Sequence, residues 1–167
     1  MNGDAGNGPG TRSLARELLL FFLRFLGASI VFYALYMVAG TIYVRFIALL
    51  AKPLLALLGY ELVLEKALKI KEDLSINPGV FLSLVIAVRH IAWRVRIRAA
   101  AIGVVILTVV NTLTLFLTFV SYYRGSERLW AGSEFLGLTI NFFLPIVLWF
   151  ILLPIGQAFP FFTIKRN

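Results

Sequence analysis

The stretch Ala99–Ser121 carries no charge and follows directly on the basic run Trp93-Arg94-Val95-Arg96-Ile97-Arg98. It is long enough for a membrane-spanning helix, which needs ~20 apolar residues. The arginines fix the side of the bilayer on which it starts. The stretch also carries Thr108, Asn111, Thr114, Thr118 and Ser121, whose spacings place all five on one helical face. Lipid is a poor neighbour for an amide and four hydroxyls, so this face is expected to meet another helix.

Composition decides the class. Of 167 residues, 60% are hydrophobic and the mean hydropathy is +0.92, against ~45–50% apolar in soluble domains. An all-α integral membrane protein is expected. The net charge of +8 invites a nucleic-acid partner, but the basic residues sit in short clusters beside apolar spans, where topology requires them. No nucleic-acid partner is expected; membrane lipids are. The chain has no cysteine and a single histidine, His90, so thiolate chemistry and a multi-histidine metal site are excluded within one chain. No cofactor or metal is expected.

Residues 1–11, rich in Gly and Asn, read as a disordered tail. Residues 12–167 read as one transmembrane domain. From Phe25 to Val44 there is no charge, which exceeds the ~7–15 residues of a signal-peptide core and predicts an uncleaved first span at about 25–45. Residues 46–76 are expected outside the cytoplasm. Phe46–Gly59, interrupted by Lys52 and Pro53, reads as a helix lying in the interface and stopped by Gly59. Glu61–Lys71 alternates, with Leu62, Leu64, Leu68 and Ile70 on even positions, and predicts a short β-like segment. Asn77-Pro78 reads as a helix start, a cap followed by proline at the first helical position. Spans two, three and four are then expected at about 78–93, 99–121 and 134–153, with Pro145 inside the last and Pro154 as a stop. The aromatic run Phe159–Phe162 reads as interfacial, anchored by Lys165 and Arg166.

Four spans put both ends on one side. That side holds nine Lys and Arg residues against seven on the other. Density decides between them, because Arg89, Arg94, Arg96 and Arg98 share one connection. Both termini are expected in the cytoplasm.

The polar stripe has an expected partner. An antiparallel hairpin centred near Glu127–Arg128 sets Ser121 level with Glu134 and Thr114 level with Asn141, and Glu134, Gly137 and Asn141 share a face. Gly137 would let the backbones approach. This is either a polar cavity opening outward or ordinary interhelical hydrogen bonding. The second is the plainer reading, since hydroxyls readily bond their own helix carbonyls. Glu134 as a catalytic acid would need a base; the plainer reading is an acid at a helix start, favoured by the dipole. His90 reads as an interfacial histidine rather than a proton relay. Arg94, Arg96 and Arg98 set topology and suit anionic headgroups as well.

The order of parts resembles the exosortase/archaeosortase family of membrane transpeptidases over about Phe46–Leu153. The shared features are Leu57-Leu58-Gly59-Tyr60, the outer β-like segment, a short helix, the arginine-rich loop and a helix with a central Asn111. That family implies a Cys at the outer start of the second span, an Arg three residues after the Asn, and a His ahead of a Gly on the last helix. Here Asn77–Ser83 holds no Cys, Thr114 stands at the Arg position, and Glu134 precedes Gly137. The resemblance therefore implies the fold without the activity: a non-catalytic protein of the bacterial inner membrane that accompanies an exosortase-type partner in protein sorting or surface anchoring. One competing class is a divergent transpeptidase or hydrolase using Glu134 with Ser83 or Thr114. The other is a small transporter or channel subunit, which the wholly apolar Ala99–Leu107 opposes.

Overall fold

The computed structural model describes residues 9–89 and 91–154; a few side chains inside the helices, Asn141 among them, lie outside the description. Among the described residues five helices follow one another: α1 (Pro9–Ala56), α2 (Leu64–Lys69), α3 (Lys71–Ala87), α4 (Trp93–Arg124) and α5 (Glu127–Leu152). No strand occurs among the described residues. Two segments are long and apolar enough to cross a membrane, Ala15–Ala56 within α1 and Trp93–Arg124. The apolar parts of the other two long helices are shorter, Ile76–Ala87 and Phe142–Leu152.

Two apolar clusters show how the helices run. One joins Phe21 and Phe25 near the start of α1, Phe81, Leu84 and Val85 in the second half of α3 with Val88 and Ile91 after it, Ala99 and Leu107 early in α4, and Leu148, Trp149 and Leu153 at the end of α5. The other joins Val44–Leu55 at the end of α1, Ala67 of α2, Leu74 early in α3, and Leu115–Val120 late in α4. So α1 and α4 point one way and α3 and α5 the other. α4, with 32 residues, is about 48 Å long, close to the ~40–45 Å of a bilayer with its headgroups. In α3 the buried positions 74, 77, 81, 84 and 88 recur by three and four; in α4 the positions 99, 103, 107, 111, 115 and 119 recur by four. Both are rows that pack against a facing helix.

Several sequence expectations are corrected. Pro9, Gly10 and Thr11, read as part of the tail, belong to α1. The interfacial helix at 46–59 is the last part of α1. Val44, Ile47, Ala48, Ala51 and Leu55 form one buried stripe, while Arg45 and Lys52, seven residues apart, share the exposed face and interrupt nothing. Gly59 does end the turn, with φ of +75°; the N–H groups of Leu58 and Tyr60 donate to the Leu55 carbonyl.

The β-like segment is helical, being α2 and the start of α3. Its alternation ignored Ala67, an odd-numbered residue that is fully buried against α1. A short helix also satisfies its own backbone, which a lone hairpin does poorly. The helix start at Asn77-Pro78 lies inside α3, which begins at Lys71. α5 starts at Glu127, capped by the Ser126 hydroxyl, which accepts from the Leu129 N–H at 3.4 Å; Glu134 is thus two turns into the helix and is not a helix-start acid. His90, residues 1–8 and residues 155–167, including Phe159–Phe162, Lys165 and Arg166, lie outside the described residues.

Candidate functional site

The polar centre of the bundle forms around a proline. Pro78 has no N–H, so the carbonyl of Leu74, four residues earlier in α3, loses its helical donor. The Asn111 side chain supplies one from α4: its Nδ2 donates to the Leu74 carbonyl at 2.6 Å. Asn111 and Asn77 also exchange amide hydrogen bonds, Asn77 Nδ2 to Asn111 Oδ1 at 2.9 Å and Asn111 Nδ2 to Asn77 Oδ1 at 3.1 Å. Both asparagines are fully buried. Burying an amide without partners costs several kcal/mol in an apolar medium, so the pair holds α3 and α4 in one register.

α1 joins through Tyr43. Its hydroxyl accepts from Asn111 Nδ2 at 3.0 Å and lies 3.5 Å from Thr108 Oγ1. Thr108 already donates to the Val104 carbonyl at 2.8 Å, so the Tyr43 proton points at the threonine oxygen. Asn111 Nδ2 has two protons and three acceptors in reach, so it serves two of them at a time. Asn77, Pro78 and Tyr43 were missing from the sequence-based site. Their signal was present: a proline within an apolar run predicts an orphan carbonyl four residues back, and an orphan carbonyl in lipid needs a side-chain donor.

The expected stripe resolves differently. Thr114 donates to the Val110 carbonyl, Thr118 to the Thr114 carbonyl and Ser121 to the Leu117 carbonyl, at 3.0, 2.9 and 2.8 Å. Each is a bond within α4. Asn111 belongs instead to the row Gly103, Leu107, Asn111, Leu115, Phe119, which is apolar apart from its amide.

The α4–α5 register differs too. The turn lies at Gly125, with φ of +57°, so Ser121 shares a surface depression with Trp130 rather than standing level with Glu134. Glu134 is exposed. Gly137 is not a point of close approach, since a Cβ there would meet nothing within 4 Å; at Gly103 a Cβ would collide with the Phe81 ring. The Asn141 side chain is outside the described residues. Among those described, no hydrogen bond joins Glu134 to Ser83 or Thr114; Ser83 donates to the Gly79 carbonyl at 2.8 Å.

The arginine run divides. Arg96 folds back over the α3–α4 connection, its Nε donating to the Ile91 carbonyl at 2.8 Å and its Nη2 to the Arg89 carbonyl at 2.7 Å. Arg94 and Arg98, four residues apart, are exposed on one face. At the opposite end Tyr60 stacks on Tyr123 with 4.8 Å between centroids, and the Tyr123 hydroxyl donates to the Glu61 carbonyl at 2.6 Å. Lys66 Nζ lies 3.6 Å from the centroid of the Tyr122 ring. That ammonium holds the Tyr122 phenol below its ordinary pKa, chiefly by its hydrogen-bonding approach and then by its charge.

Compared with family models, curated proteins and solved structures, the chain matches none. Two amides, a phenol and a threonine offer hydrogen bonding, and the described residues contain no group of three or more metal-ligating side chains.

Proposed function

We propose that the chain is a four-pass protein of the bacterial inner membrane, with both termini cytoplasmic, and that it serves as a non-catalytic partner of an exosortase-type sorting enzyme. The observation that carries this reading is the bare face of α1. Between Ala15 and Ile42 only Gly40 is buried, while Val38 is 80% exposed and Ile30, Met37 and Ile42 are each at least 60% exposed. An apolar shaft of that length needs lipid or another apolar helix around it. The Asn77–Asn111 node supports the same reading, since its hydrogen bonds are directed at holding the bundle together. The link to exosortases rests on the parts of that resemblance other than the β-like segment, namely Leu57-Leu58-Gly59-Tyr60, the arginine-rich connection and the central Asn111, with different residues at all three catalytic positions.

Two measurements test it. A reporter active only in the cytoplasm should work when fused after Asn167 and fail when inserted near Gly125; the opposite pattern overturns the four-pass topology. A photo-crosslinking residue placed at Val38 in native membranes should capture an exosortase-type transpeptidase identified by mass spectrometry. Capture of lipid alone overturns the partner reading and leaves the topology standing.

A further inference from the structure

At the end of the bundle remote from the arginine run, α2, α4 and α5 enclose a depression of about 180 Å³. It is lined by Lys66, Lys69, Thr118, Phe119, Tyr122 and Trp130, with Ile70 beside them. Among the described residues, its wall holds two lysines and no carboxylate. Lys66 is held over the Tyr122 ring, so its charge is fixed at the rim. The Thr118 hydroxyl is turned to its own helix, which leaves the floor apolar. Trp130 is partly exposed at 42%. A cationic rim over an apolar floor, flanked by Tyr122 and Trp130, is the chemistry of a headgroup-level site at a membrane interface.

We propose that this depression binds the phosphate of an anionic phospholipid of the outer leaflet, with Lys66 and Lys69 on the phosphate and Trp130 against the glycerol and upper acyl chain. The inference rests on the four-pass reading above. Charge complementarity selects the occupant: a zwitterionic lipid would bring its own ammonium to the two lysines, and an apolar helix would bury both unpaired. Each lysine near the surface should favour an anionic lipid about fivefold. This site is separate from Arg94 and Arg98, which face the other leaflet in that topology.

Trp130 reports on its own site. The full-length protein is reconstituted in phosphatidylcholine vesicles with brominated phosphatidylglycerol, or with brominated phosphatidylcholine at equal bromine content. Subtracting the signal of Trp130→Phe isolates the contribution of Trp130. Phosphatidylglycerol should quench it several-fold more effectively, Lys66→Gln/Lys69→Gln should remove the preference, and Lys66→Arg should keep it. Equal quenching by both lipids in the parent protein overturns the proposal, as does a preference that survives the double substitution. Relief of quenching by excess soluble glycerol phosphate would show a site for free phosphate and overturn the lipid assignment. If neither lipid quenches any tryptophan, the protein is not in the bilayer and the four-pass reading falls first. Native mass spectrometry should retain phosphatidylglycerol on the parent and lose it on the double variant, independently of fluorescence.

Discussion

α1 and α4 are the two helices with the hydropathy to cross a membrane, and they are used in opposite ways. The most apolar window of α4 is 28% buried and that of α1 is 0% buried. Mean apolarity does not separate them. The difference lies in what interrupts the apolar run. α4 carries Gly103, which admits the Phe81 ring, and Asn111, which answers the carbonyl freed by Pro78. α1 carries Tyr43 at the same node, but over its first thirty or so residues it meets its neighbours through partly buried apolar side chains such as Phe21 and Phe25. In a bilayer, where lipid is as apolar as leucine, small residues and polar pairs decide which helix goes inside.

The sharpest way to break this comparison is to remove the node. Asn111→Leu leaves the Leu74 carbonyl and the Asn77 amide without their α4 partner and should cost roughly 2–3 kcal/mol, read as a lower unfolding midpoint in detergent. The decisive variant is Pro78→Ala in that background. It restores an N–H to α3 and gives Leu74 its helical donor back, so it should recover roughly 1 kcal/mol. In the parent protein the same change should do little, because the carbonyl is already satisfied. If the two substitutions simply add, Asn111 is not repairing the proline, and α4 is inside the bundle for another reason.

A glycine pair sharpens the contrast. Gly103→Ala places a methyl into the Phe81 ring and should cost about 1–3 kcal/mol through overpacking. Gly27→Ala on α1 meets nothing within 4 Å and should be neutral or stabilising by up to about 1 kcal/mol from helix propensity. Gly137→Ala on α5, also in open space, should follow Gly27. Equal losses at Gly103 and Gly27 would mean that α1 is packed as closely as α4.

Much of the helical architecture is legible in the sequence, and the reasons for the misreadings are specific. Charge-free runs announce α1 and α4, and Gly59 and Pro154 mark a turn and an end. Asn77-Pro78 has two readings, a cap or an interior break, and local sequence favours the cap; only the position of Asn111 on another helix selects the break. Polarity groups Asn111 with hydroxyls three residues away, of which Thr108 shares its node while Thr114 bonds its own helix. The true row of Asn111 is apolar, so the face is set by packing, and the amide is an exception within it. Ala67 was passed over in the alternation count because alanine is a weak apolar signal, yet its small size is what lets α2 lie against α1.

The smallest expected effect is at the Tyr122 end of α4. Lys66 belongs to α2 and meets α4 at the Tyr122 ring. Its ammonium favours the phenolate, so the folded-state pKa of Tyr122 is lowered and the unfolded value is not. The sign follows from linkage: the unfolded chain holds the phenolic proton more tightly, so raising the pH through the lowered folded pKa favours the folded state, and the gain disappears as pH falls back below it. The Tyr122 side chain is about half exposed, so screening keeps the effect on stability small. Titration is the better readout. One tyrosine should ionise ahead of the others in the near-ultraviolet absorbance, and Lys66→Gln should return it to the ordinary range. Tyr122→Phe should remove the early step altogether. An early step that survives Lys66→Gln would place the responsible cation elsewhere and would detach α2 from this end of α4.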